Sequence, residues 1–227
     1  MRGALGFCRL CILARLLRVG FNQKLILTPF IMATVVCFLL GGTDVKASDA
    51  VILNCVETPE IKNVVPVPKR FNLSSNLLKH TGHGSDRNVI HIVGRVTDAY
   101  CRPISGANVF IWHSDSNGRY ADDTGYDRGF HGSGKATTDN LGNYGFTTIL
   151  PGSSKGRSPL VHFLVKHNAF PGLQTEMFFE GMEDGYDGYE LSRIPGSIKK
   201  LLTARYIGSE HGIGIYEFNI TFSDDAI

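Results

Sequence analysis

The sequence predicts an all-β fold, an antiparallel β-sandwich with long functional loops and an extended N-terminal arm. Short runs of β-branched and aromatic residues recur between Gly, Pro, Asn and Asp turn signals. No amphipathic pattern of three or more helical turns appears, apart from a short candidate at 198–206. In the run 213–222, Tyr216, Phe218, Ile220 and Phe222 alternate with Glu217, Asn219 and Thr221. One face of that strand is therefore core.

The elements follow in chain order. Arg2, Arg9, Arg15, Arg18 and Lys24 precede the uncharged run 25–40, and small residues around Val45 and Ala47 come before Ser48. This is the pattern of a cleaved secretory signal peptide at residues 1–47, with an N-terminal membrane anchor as the alternative. The run has 16 residues and contains Pro29, against the roughly 20 that a spanning helix needs. Under both readings the remainder is exported, periplasmic or secreted, and meets a membrane only through this segment. Residues 48–87 are punctuated by Pro, Asn and Ser, as in Val64-Val65-Pro66-Val67-Pro68, and read as an extended arm that wraps the core. Residues 88–227 form the sandwich domain, with strands expected at 89–97, 107–114, 144–149, 160–167, 176–179 and 213–222. Asp139-Asn140-Leu141-Gly142 and Arg102-Pro103-Ile104-Ser105-Gly106 supply tight connections.

Composition narrows the function. The 227 residues are 43% hydrophobic and 19% charged, with a formal charge of +2, which excludes a disordered chain and advertises no basic face for nucleic acid. Six basic residues and one acid lie in residues 1–47, leaving 17 basic and 20 acidic residues in a mildly acidic body. Of five cysteines, Cys8, Cys11 and Cys37 lie in the leader. Cys55 and Cys101 remain, either as one bridge in an oxidising compartment or as two unpaired thiols. Two cysteines alone cannot make a structural zinc site.

The discriminating motifs come in a definite order: Gly94-x-Val96-x-Asp98, Pro103-Ile104-x-Gly106-Ala107-x-Val109-x-Ile111-Trp112-His113, Gly118-Arg119-Tyr120, Thr138-Asp139-x-x-Gly142-x-Tyr144-x-Phe146, and Pro151-Gly152. Gly156-Arg157, His162-Phe163, Thr175-Glu176-Met177-Phe178-Phe179-Glu180-Gly181 and Tyr216-Glu217-Phe218-Asn219-Ile220 continue it. From about Cys55 to the C-terminus this order resembles the intradiol ring-cleavage dioxygenases. The lack of a long helical N-terminal region looks more like the protocatechuate beta-chain and extracellular branches than the catechol branch.

The resemblance implies a non-haem Fe(III) held by two tyrosinates and two histidines, a catecholic substrate such as protocatechuate, and O2 insertion between the hydroxylated carbons. Hard ferric ion favours anionic phenolates, and an Arg stabilises the charge that develops on the substrate. A related subunit or a homo-oligomer is also implied. Residue by residue, Tyr120 matches the first tyrosinate ligand, Arg157 the catalytic Arg and His162 the second histidine. The family's Pro-Gly-x-Tyr is here Pro151-Gly152-Ser153-Ser154, and its His-x-His is Leu160-Val161-His162. Ser154 and Leu160 thus stand where two of four iron ligands belong.

Replacement donors within the motif region are His113, Tyr126, His131 and His167, none at the family's spacing. His113 reads as a hydrogen-bonding rim residue, His80 and His83 as a polar loop, His91 as an outward strand residue and His211 as a surface turn. Two functions from different classes stay open. One is an intradiol dioxygenase, or a divergent relative, working with a reduced iron site. The other is a non-catalytic sandwich that has lost iron and serves as a binding or envelope-associated module. The site expectation is that Tyr120, Ser154, Arg157, Leu160 and His162 converge on one pocket.

Overall fold

The computed structural model describes residues 55–62, 65–79, 88–182 and 194–223. The leader with its three cysteines, and His80 and His83, lie outside them. Among the described residues no helix is long and apolar enough to cross a membrane.

The described residues form nine strands and one short helix: β1 (Val89–Thr97), β2 (Asn108–Trp112), β3 (Ser133–Thr137), β4 (Asn143–Ile149), β5 (Leu160–His167), β6 (Phe170–Phe179), α1 (Gly196–Leu201), β7 (Thr203–Glu210), β8 (Ile213–Glu217) and β9 (Ile220–Thr221). Hydrogen bonding runs in the order β3-β2-β5-β6-β7-β8-β1-β4, with β9 beside β1. The path is mainly antiparallel, with β1/β8, β1/β9 and β6/β7 parallel. Alternation along the strands sends Ile90, Ile92, Val109, Ile111, Val161, Phe163, Val165, Met177 and Phe179 into one apolar core. Tyr216, Phe218, Ile220 and Phe222 join it, as their alternation predicts.

The described residues of the arm have almost no regular structure, yet their backbone is spent on the sandwich. Thr58 N–H donates to Thr221, and Ile61 N–H to Gln174. Further on, Lys135 N–H donates to Ser74 O, Thr147 N–H to Ser75 O, and Leu77 N–H to Thr147 O. Residues 74–77 therefore bridge β3 and β4, the two ends of the strand path. They satisfy backbone groups that two edge strands would otherwise expose.

Cys55 and Cys101 are disulfide-bonded, which resolves the open choice about them. Their sequence separation of 46 ties the arm's start to the β1–β2 turn. Closing a loop of that length removes unfolded-chain entropy worth about 2–4 kcal/mol. Cys55→Ser or Cys101→Ser should lower unfolding free energy by that amount in denaturant titrations. An equal loss in both single variants and the double variant would identify the bond as the cause.

Three expectations are corrected. The single run 213–222 is interrupted after Glu217 because the Phe218 backbone crosses Gly94. A Cβ at Gly94 would lie 1.8 Å from Phe218 O, and Asn219 Oδ1 accepts from Arg95 N. The candidate helix at 198–206 is only α1, and Thr203 onward is β7. β7 is recruited by pairing with β6 and β8, which overrides its local propensity. Ser133–Thr137, without large apolar residues, is a strand because β2 pairs along its whole length.

Candidate active site

The site is built on one row across four strands. Ser133 of β3 pairs with Trp112 of β2, Trp112 with His162 of β5, and His162 with Glu176 of β6. Paired residues share a face, and this face is opposite the one that carries Ile111 and Phe163 into the core. Trp112 is buried but stacks on His162, ring centroids 5.0 Å apart at 20°, with Phe71 of the arm edge-on to it. Its indole N–H is buried with no acceptor among the described residues.

Two loops bring the other side chains. Asp115, fully buried, accepts from the N–H groups of Asn117 (2.9 Å), Arg119 (3.0 Å) and Asp127 (2.9 Å), and its carbonyl accepts from Gly152 N–H. This fan shapes the loop that carries Tyr120. Gly118 lies at φ +79°, and a Cβ there would stand 1.9 Å from Ser153 O, so only glycine lets this loop pack on the 151–154 segment. Ser154 and Arg157 exchange backbone hydrogen bonds across Lys155 (φ 52°) and Gly156 (φ 78°). Two positive φ values in a two-residue turn are the type I′ geometry, and the turn delivers Arg157 to the row.

Tyr120, His162, Glu176 and Arg157 form one network. Arg157 Nη1 and Nη2 donate to Glu176 Oε1 (3.1 Å) and Oε2 (2.6 Å). His162 Nδ1 lies 3.3 Å from Glu176 Oε1, and Tyr120 Oη lies 2.8 Å from His162 Nε2. A carboxylate only accepts, so Nδ1 carries the imidazole proton and Nε2 accepts from the Tyr120 hydroxyl. Burial lowers the His162 pKa, which Glu176 partly offsets, so the ring is neutral. Burial pushes the Tyr120 phenol up to about 12; nearby Glu176 and Asp123 add to this while Arg157 opposes it. Burial alone would raise the Glu176 carboxyl, but hydrogen bonds from His162 and Arg157 outweigh it and hold it below its usual range. At neutral pH the network contains a phenol, a neutral imidazole, a carboxylate and a guanidinium.

Three of the five expected residues thus converge, Tyr120 and His162 directly and Arg157 through Glu176. Leu160 faces the same side as His162, two residues along β5, but packs with Phe178 and Leu202 in an apolar cluster flanked by Ile61, Ile194 and Ile198. Ser154 stays at its turn with Arg157, and Gly118 packs beside it. His113 is corrected from rim to interior. It is fully buried, its Nδ1 2.7 Å from Ser114 O and its Nε2 2.8 Å from Thr148 Oγ1. Tyr126 donates to Phe130 O, His131 is exposed, and His167 packs on Phe170 at the far end of β5. His91 meets Thr147, and His211 is exposed beside Glu210.

The donor set does not fit a ferric ion held by four protein ligands. Tyr120 Oη and His162 Nε2 stand 2.8 Å apart as two strong donors, but Glu176 sits behind the imidazole on its Nδ1 side, Ser154 offers only a hydroxyl, and Leu160 lies in apolar contact. Among the described residues, no group of three or more His, Cys, Asp or Glu is placed to hold a metal. A groove of about 720 Å3 between β3 and β4, under Leu73–Ser75, includes none of the four network residues.

A dioxygenase family model matches residues 72–222, which span the arm's bridge, Tyr120, Arg157, His162 and the closing strands. The chain belongs to the intradiol dioxygenase family. It is 29% identical over 172 residues to the protocatechuate 3,4-dioxygenase beta chain of Burkholderia cepacia, covering 67% of this chain and 71% of that one. A Rickettsia bellii protein, named only provisionally as a dioxygenase, is 37% identical over 125 residues, covering 48% of this chain and 60% of that one. The chain thus spans about 60% of that relative's length. Among solved structures, the dioxygenase domain of a carbohydrate-binding fusion from Streptomyces sp. SirexAA-E superposes with a TM-score of 0.58. At 20% identity it covers 73% of this chain and 97% of that one, a likeness of fold. The family generally uses non-haem Fe(III) and catecholic substrates.

Sequence reasoning missed Asp115 and Glu176 as site residues. Asp115-Ser116-Asn117-Gly118 is a readable Asx-turn signature. Glu176 lies in one of the ordered motifs, but nothing local marks its pairing: its partners are 14 and 19 residues away in sequence, His162 meeting it through strand register and Arg157 through the turn before β5.

Proposed function

We propose that this chain is an exported, catechol-recognising member of the family that does not cleave the ring at a ferric ion held by its own residues. The observation that carries this reading is Leu160, packed in an apolar cluster at a position where the family has a histidine ligand, with Ser154 at the other changed ligand position. Tyr120 and His162 remain as two strong donors, too few for tight ferric binding. Recognition is supported by the retained Tyr120, Arg157 and His162 and by the buried indole N–H of Trp112, a donor left for a ligand oxygen. Export is supported by the Cys55–Cys101 bond, which suits an oxidising compartment. Assembly with a related subunit follows from the family resemblance and belongs to the same proposal.

Iron loading tests the central claim. Purified protein incubated with Fe(III) and desalted should retain well under one equivalent, with no visible tyrosinate band. It should consume no O2 with catechol or 3,4-dihydroxybenzoate, while isothermal titration detects binding of a catechol. One tightly held Fe(III) with a tyrosinate band and O2 uptake would overturn the reading.

A further inference from the structure

We propose that Glu176 sets the charge preference of this site: by pairing with Arg157 it makes the site select neutral catechols over carboxylate-bearing ones. This rests on the catechol-recognition reading above and goes beyond it by assigning a specificity-determining residue and a ligand charge class.

The bidentate pair brings both guanidinium Nη atoms onto both carboxylate oxygens, at 3.1 and 2.6 Å. The Glu176 side chain is only 3% exposed and that of Arg157 18%, so the carboxylate is fixed inside while the guanidinium is the more accessible partner. Glu176 cannot swing away to release Arg157, because Oε1 also receives the His162 N–H and its backbone sits in the cross-strand row. An incoming ligand therefore meets a cation already paired with an anion behind it. For an anionic ligand the attraction of Arg157 is offset by repulsion from a carboxylate that solvent screens poorly. A neutral catechol loses nothing by this, since its hydroxyls need only donors and acceptors, such as the lone pairs of Tyr120 Oη. Charge compensation of this kind acts as a filter, because specificity is a difference of affinities.

The test is isothermal titration of the purified protein with catechol and with 3,4-dihydroxybenzoate at pH 7, where the first is neutral and the second carries a carboxylate. Native protein should bind catechol more tightly. Glu176→Gln keeps an acceptor for His162 but uncovers the guanidinium charge, and should move the affinity ratio toward 3,4-dihydroxybenzoate by about tenfold or more. Arg157→Gln removes the cation beside this carboxylate and should move the ratio the other way. The double change Arg157→Gln with Glu176→Gln removes one charge of each sign and should return the ratio to the native preference, which a merely structural role for the pair would not do. If native protein binds neither compound, the recognition reading fails and Glu176 with it. If native protein prefers 3,4-dihydroxybenzoate, or if a folded single variant keeps the native ratio, the assignment of Glu176 is wrong while recognition stands.

Discussion

Introducing Ser154→Tyr and Leu160→His together should raise affinity for Fe(III) by more than about 100-fold and produce a visible tyrosinate band. Two donors of one ion, each at about 2.0–2.1 Å from it, stand roughly 3 Å apart, and Tyr120 Oη and His162 Nε2 are already 2.8 Å apart. Position 160 lies on the His162 face of β5, and position 154 is held beside Gly118 of the Tyr120 loop. The added imidazole and phenolate therefore enter the same neighbourhood as the two survivors. The change has a cost. Leu160 is buried against Phe178 and Leu202, and exchanging it for an imidazole should destabilise the metal-free protein by about 2–4 kcal/mol. Metal binding reverses the sign, because a ligand bound only by the folded state stabilises it by mass action. Melting should thus occur below the native temperature without iron and recover on loading, whereas each single variant melts lower and recovers little. A double variant that binds iron no better than native protein would show that the four positions do not form one donor set.

The sandwich was legible because its strands alternate. Tyr216, Phe218, Ile220 and Phe222 are all buried, and Val109 and Ile111 point inward as alternation requires. β3 and β7 were not legible, since Ser133–Thr137 lacks large apolar residues and Thr203–Glu210 exposes most of its side chains; both are strands through their neighbours' hydrogen bonds. At the site, ordered motifs located Tyr120, Arg157 and His162, which the fold does bring together. What they could not give was the partnership. Glu176 reaches His162 through the β5/β6 register and Arg157 through the 154–157 turn, and Trp112, the last residue of β2, and His113, just beyond it, turn to opposite sides, one to the site and one to the interior. Parity along a strand decides such a split, and a residue at a strand's end, like His113, gives sequence reasoning no firm register.

That placement of His113 leads to acid sensitivity. Its Nδ1 faces a carbonyl, which can only accept, so Nδ1 carries the proton and Nε2 accepts from the Thr148 hydroxyl on β4. Protonating Nε2 would put a second donor against Thr148, and a cation in a site closed on its other side by the Phe130 ring. Burial accordingly lowers the His113 pKa to about 4, with His162 adding to the shift while the Ser114 carbonyl and Asp115 oppose it. Above about pH 6.5 the imidazole is neutral in both folded and unfolded chains, and its contribution does not vary. Between about 6.5 and 4 the unfolded chain binds a proton that the folded one refuses, so unfolding free energy falls as pH falls. Below 4 both forms are protonated and the loss levels off. A difference of this size corresponds to about 3 kcal/mol, and His162, lowered in the same direction by burial, adds to the slope. Urea titrations at pH 7.5, 6.5, 5.5 and 4.5 should show the decline beginning below 6.5. Thr148→Val leaves Nε2 without its donor and should lower stability at pH 7.5 while keeping the slope. His113→Gln should lower stability at pH 7.5 but flatten the slope, leaving the share due to His162. A slope unchanged in His113→Gln would assign the acid sensitivity elsewhere, with the His162–Glu176 pair next in line.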